Sequence, residues 1–234
     1  MTQLWAKKSS QTKQHVRYRC SCHDRIVPGG STIAGVYSAY GSSDGLIRWG
    51  IKESQEGRDP FAVRDEAGKF GRCIHLHFEC AVKNEPFPVQ DFPPSYVEIA
   101  EVSTARLMEY AQKNGLKPLH SELQLVSDVH HFGGTIDLTW AVEGQQGVVL
   151  SDLKGSARVS INHCIQVFGG YRIAFEEKMP QFPIIGRELL RIDRDTGELE
   201  DHHYSEKDAA VAGEMFLSCL SLYENAKLLQ KALR

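Results

Sequence analysis

No run of about 18 or more uncharged apolar residues occurs in this sequence, so neither a membrane-spanning helix nor a membrane partner is expected. The opening residues, MTQLWAKKSSQTK, carry positive charge with no apolar stretch behind it, so a secretory signal is not expected either. The expected location is the cytoplasm. A large excess of one charge is also missing: 27 Lys and Arg stand against 30 Asp and Glu, a formal net charge of −3. That excludes a basic coat over the whole surface but not a local basic groove. Six cysteines in 234 residues are too few for a disulfide scaffold. Cys73, Cys80, Cys164 and Cys219 fall within apolar helical patterns and read as buried, reduced thiols. Cys20, Cys22 and His23 form a C-x-C-H cluster. Zinc or iron–sulfur ligation calls for a second matching pair, and the sequence offers none, so no metal is expected there. Motifs of the types H-E-x-x-H and G-x-x-x-x-G-K-[ST] are absent as well, which excludes two common catalytic or phosphate-binding designs.

What is present suits one large domain, or a domain with an appendage, at roughly 100–200 residues per domain. The expected division is a basic arm and first strand over 1–26, with the main domain over 27–234. Residues 1–19 carry Lys7, Lys8, Lys13, Arg17 and Arg19 with no acid and lead into a strand near His15–Cys20. Pro28-Gly29-Gly30 marks a turn, and a helical stretch runs from Ser31 until it breaks at Gly41–Gly45. A second helix over 44–55 has Leu46, Ile47, Trp49 and Ile51 as its apolar side. Pro60 suits the first turn of a long helix over 61–83. Gly68 and Gly71 inside it each cost up to ~1 kcal/mol relative to alanine, which points to a close approach by another element or a ligand. A helix over 95–114 stops at Gly115.

The period of the pattern then falls from about 3.6 to about 2. Short runs over 122–129, 134–142 and 147–153, separated by turn signals, read as an antiparallel meander. A helix over 161–177 follows, then a hairpin of 183–192 and 198–204. A final helix starts at Ser205 with a capping box to Asp208. The order gives an α/β fold, with a central mixed sheet whose antiparallel meander is flanked by helices.

The chemistry concentrates in FGGTIDLTWAVEGQQGVVLSDLKGS, residues 132–156. Asp152 and Lys154 are two apart in a strand and so share a face. Pairing through the short turn after Val142 brings Asp137 toward Asp152. Val148, Val149 and Leu150 mark the strand as buried, and charges at its tip are costly unless paired or bound to metal. An Asp152–Lys154 ion pair alone would also account for the tripeptide. Upstream, Gly71-Arg72-Cys73-Ile74-His75 is a G-x-x-x-H on a helix, and Gln166 lies on the helix after the D-x-K strand. Glu122 heads the first meander strand, either as a further carboxylate or as a strand-edge residue. Glu79, one turn after His75, is either a partner that orients its ring or a surface acid.

Taken in order, the P-G-G-S-T-I turn, G-x-x-x-H, G-x-x-D, D-x-K and a Gln/Tyr helix resemble the PD-(D/E)XK nuclease superfamily in its RecB-type branch. That branch includes phage exonucleases and CRISPR adaptation nucleases. The resemblance runs from about Val27 to Ala174, and VPGGSTIAGV and GTIDL look like the phage members. It implies a metal-dependent DNA nuclease, with an exonuclease on linear or single-stranded ends as the leading reading and a bacterial or phage-infected host as the setting. It implies Mg²⁺ or Mn²⁺ and no iron–sulfur cluster, because the four-cysteine pattern is not matched. DNA is the implied partner, with a recombination or replication protein as a further one. The implied metal set is His75, Asp137, Asp152 and the carbonyl of Leu153. Lys154 would orient the attacking water, and Gln166 would brace the site. Tyr171 stands five residues after Gln166, where many relatives have four; it marks either a helix bulge or plain core. Arg158 and Arg172, with Arg187, Arg191 and Arg194 nearby, are candidates to line a basic groove. The rival readings are a non-catalytic nucleic-acid-binding or assembly subunit that keeps this fold, and an RNA-directed nuclease.

Overall fold

The computed structural model describes residues 17–41, 43–156 and 158–233. Most of the expected basic arm, including Lys7, Lys8 and Lys13, lies outside these residues. The described chain opens with a two-stranded antiparallel ribbon of β1 (Tyr18–Cys20) and β2 (Arg25–Val27). Four helices follow: α1 (Gly30–Gly41), α2 (Ser43–Gln55), α3 (Pro60–Lys83) and α4 (Pro94–Lys113). Then come β3 (Leu116–Ser127), β4 (Phe132–Val142) and β5 (Val148–Lys154). A continuous helical segment has three parts: α5 (Ile161–Cys164), a π-helical stretch (Ile165–Tyr171) and α6 (Arg172–Lys178). The chain ends with β6 (Ile184–Ile192), β7 (Leu199–His203) and α7 (Glu206–Ala232).

The main sheet has the order β3-β4-β5-β6-β7. Every neighbouring pair is antiparallel except β5 and β6, which are parallel. A parallel pair needs a long crossover, and the α5–α6 segment supplies it. The meander therefore forms one half of the sheet, with β5 at the centre. β3 begins six residues before the expected Glu122. The added residues include Pro118, which is tolerated because β3 is an edge strand.

Helices cover both faces of this sheet. On one side, Ile33, Ile165, Phe168, Phe175 and Phe216 from α1, the α5–α6 segment and α7 pack with Leu150 and Leu189. On the other, Phe70, Ile74, Phe78 and Leu107 from α3 and α4 pack with Leu138, Trp140, Leu153 and Leu190. α3 has clear ends. The Asp59 carboxylate accepts from Phe61 N–H, Pro60 fills the first position, and Asn84 closes the helix in a left-handed conformation. α7 begins with the expected box between Ser205 and Asp208.

Two expectations need correction. Leu46, Ile47 and Ile51 of α2 are exposed rather than buried. A Cβ at Gly71 would meet nothing within 4 Å, and one at Gly68 would meet only the end of Arg72, although the segment after β5 does come near, with a Cβ on Gly155 lying 3.9 Å from Gly71 Cα; neither glycine is needed to make room for a side chain. The close approaches occur on the π-helical stretch instead, where a Cβ on Gly169 would lie 2.4 Å from the Ala212 carbonyl of α7. Among the described residues, no helix is long and apolar enough to cross a membrane.

Candidate functional site

The site forms where β4 and β5 part. Their ladder runs from Ala141↔Val148 to Leu138↔Ser151. Beyond that rung, Leu153 N–H donates to Asp137 Oδ2 at 2.8 Å. The Asp137 side chain thus satisfies a donor that the ladder leaves free, and it is held beside the Asp152-Leu153-Lys154 tip. His75 comes down from α3, with Nδ1 3.4 Å from Asp137 Oδ1 and 3.5 Å from Glu122 Oε1. Glu122 enters from β3 with φ of 54°, an uncommon backbone for a residue with a side chain. Ligand atoms of His75, Glu122 and Asp137 all lie within 4.8 Å of one another. Asp152 is outside that tight group and pairs with Lys154 Nζ on the shared strand face.

Asp152 is buried and His75, Glu122, Asp137 and Lys154 are half-buried, and their charges are strongly interdependent. Burial disfavours a charged His75, but Asp137 and Glu122 outweigh it and lift its pKa to about 10. Asp137 is also opposed by burial, yet His75, Lys154 and the Leu153 N–H hold it well below the usual carboxylate range. Asp152 moves the other way: burial first, then the Asp137 charge, push it up to about 7. Burial disfavours the Lys154 ammonium, but Asp152 and Asp137 more than compensate, so its pKa is raised. The Asp152 Oδ2 atom is buried, and its partner is the Lys154 ammonium. A buried carboxylate held by one ammonium alone keeps lone pairs unsatisfied. Together with the oxygens of Glu122 and Asp137, it is the kind of donor that hard divalent cations take. The residues present therefore fit such an ion.

Two tyrosines frame the cluster, and adjacent glycines make room for them. A Cβ on Gly133 would fall 2.1 Å from the Tyr18 ring, and one on Gly134 would fall 2.3 Å from the Tyr171 ring. The glycine of G-x-x-D is thus required where Tyr171 lies flat on β4. The Tyr18 hydroxyl is 2.9 Å from Thr135 Oγ1. Gln166 Nε2 donates to the Tyr171 hydroxyl. The π-helical stretch brings these two residues, five apart, onto one side. Tyr171 is both buried core and a partner of Gln166.

The other expected residues divide clearly. Arg158 is exposed and borders a surface groove with Arg191 and His202. Arg172 is engaged internally, donating to the Phe168 carbonyl and to Glu176. Arg187 pairs with Glu206, and Arg191 with Glu200. Arg194 donates to the Gly155 carbonyl. Glu79 is paired with Lys83. His77 is bonded to Thr104 at 2.8 Å. Sequence reasoning overlooked His163: burial and then the Lys154 charge lower its pKa to about 4, so a neutral imidazole stands near the ammonium.

No protein-family model matches the chain, and no curated protein matches it. Among solved structures, it is similar to a candidate exonuclease from Eubacterium rectale, 13% identical with a TM-score of 0.47 over 68% of each chain. It is also similar to LHK-Exo in complex with dAMP, 12% identical with a TM-score of 0.36, covering 88% of this chain and 93% of that one. At these scores, neither likeness bears on activity.

Proposed function

We propose that the chain is a metal-dependent nuclease that hydrolyses phosphodiester bonds, acting as an exonuclease on linear or single-stranded DNA ends. The observation that carries this reading is the convergence of Glu122, Asp137, Asp152 and Lys154 at the β4–β5 fork, with Asp152 buried against the Lys154 ammonium. Asp137 and Asp152 would hold Mg²⁺ or Mn²⁺, joined by Glu122 and the Leu153 carbonyl, with His75 alongside. When bound, such an ion polarises a phosphate oxygen and makes water a better nucleophile near neutral pH.

The remaining tasks belong to the protein. Lys154 stays charged against Asp152, which suits it to hold the attacking water and to balance charge on the phosphate. A protonated His75 between Glu122 and Asp137 supplies positive charge that a divalent ion would take over. Gln166, anchored by Tyr171, offers its amide to the nucleic-acid backbone. Arg158 is exposed and can reach phosphate.

The test is incubation with linear and closed-circular DNA, single- and double-stranded, and with RNA, each in Mg²⁺, Mn²⁺ or chelator. Loss of linear DNA in metal alone is the expected result. Cleavage of closed circles would replace the exonuclease reading with an endonuclease. Cleavage restricted to RNA would reassign the substrate. Binding without cleavage in any metal would favour an assembly subunit.

A further inference from the structure

We propose that Cys20, Cys22, His23 and His131 bind a single zinc ion, separate from the carboxylate site, that pins the N-terminal ribbon to the turn between β3 and β4. The second half of the ligand set, missing within the C-x-C-H segment, arrives from more than a hundred residues away. His131 Nδ1 lies 3.6 Å from Cys20 Sγ and 3.8 Å from Cys22 Sγ. His23 Nδ1 lies 4.0 Å from Cys20 Sγ and 2.9 Å from Cys22 Sγ. All four donor atoms fall within 4.8 Å of one another. A tetrahedral zinc, with bonds of about 2.3 Å to sulfur and 2.0–2.1 Å to nitrogen, has sulfur–nitrogen edges of about 3.5 Å. The two separations to His131 lie close to that edge, and two thiolates with two imidazoles are a common structural zinc set.

The surroundings suit a structural role. Cys20 is fully buried, whereas Cys22 and His23 face solvent and give the ion an entry path. The same two turns are already fastened by Ser21, whose N–H and hydroxyl both donate to Asp128, and by Gly133 N–H donating to the Pro28 carbonyl. Cys20 and Cys22 are joined as a disulfide in the structure. Zinc takes the same two sulfurs as thiolates, in the reduced chain, and each thiol gives its proton to solvent as the ion binds.

The experiment uses the full chain, purified under reducing conditions and titrated with Zn²⁺ and with Co²⁺. The expected result is one zinc per chain by elemental analysis and a thiolate-to-cobalt charge-transfer band in the near ultraviolet. The carboxylate site has no thiolate and cannot give that band. Asp137→Asn should keep both signals, and His131→Ala should weaken zinc affinity by about tenfold or more. A fully reduced wild-type chain with no charge-transfer band would overturn the proposal, whatever the variants do. So would a chain that remains two mass units light as the disulfide under reductant, or a His131→Ala chain with unchanged affinity.

Discussion

Two sets of buried polar groups sit on opposite faces of β5, and they are satisfied very differently. On one face, Ser151 accepts from Trp140 Nε1 at 2.7 Å and donates to Glu188. Glu188 in turn accepts from the Tyr110 hydroxyl at 2.6 Å. That chain ties α4, β4, β5 and β6 together, and every group in it named here has a partner. On the other face, Asp152 and Lys154 crowd against Asp137, and the buried Asp152 carboxylate is held by one ammonium alone. A satisfied buried network stabilises and specifies a fold. A deficient one is kept where binding or catalysis needs it. Adjacent residues of one strand thus separate what holds the sheet from what the sheet holds.

The sharpest way to break this contrast is Asp152→Asn. Nuclease activity should fall roughly 10²–10³-fold, read by release of labelled nucleotide. Stability in chelator should move the opposite way. The carboxyl pKa is raised from 3.8 to about 7 on folding, so the folded state binds the extra proton. Its contribution is complete below pH 3.8 and is lost as pH rises through 7. The Asn variant should therefore melt above wild type at pH 8, with the gap closing toward pH 4.

Glu188→Ala should do the reverse. Two hydroxyls lose their acceptor, for a cost of about 2–3 kcal/mol by denaturant titration, while the folded fraction keeps its turnover. A collapse of turnover in folded Glu188→Ala protein would erase the distinction between the two faces.

Much of this was legible in the sequence. The α3 and α7 boundaries follow from caps, and the meander follows from its period of two. Asp137, Asp152 and Lys154 stand out because charges beside Val148–Leu150 demand partners. What was not legible depends on contacts far apart in the chain. The role of Glu122 rests on a left-handed backbone inside a strand, which no local pattern signals. The β5–β6 pairing depends on a crossover of about thirty residues. The C-x-C-H cluster looks incomplete until His131 is brought beside it.

Gly134→Ala tests a structural residue beside the Asp137 cluster. The new Cβ would sit 2.3 Å from the Tyr171 ring, and overpacking of that kind costs about 1–3 kcal/mol. Activity should fall with stability, since Tyr171 supports Gln166. The smallest effect expected is at His163, where burial and Lys154 lower the pKa from 6.5 to about 4. A neutral folded form contributes stability that is present above pH 6.5 and lost as pH falls toward 4. His163→Gln should flatten that limb of a melting curve measured against pH, and an unchanged slope would remove His163 from the picture.

The extra residue in the Ile165–Tyr171 coil has a consequence for sequence comparison. An ordinary α-helix turns about 100° per residue, so deleting one position between Gln166 and Tyr171 would swing the phenol off β4 unless the coil regained its normal pitch. A template that demands a four-residue gap would pass this chain over, although its amide and phenol still meet. Register within a helix, rather than identity at a column, decides whether two side chains can work as a pair.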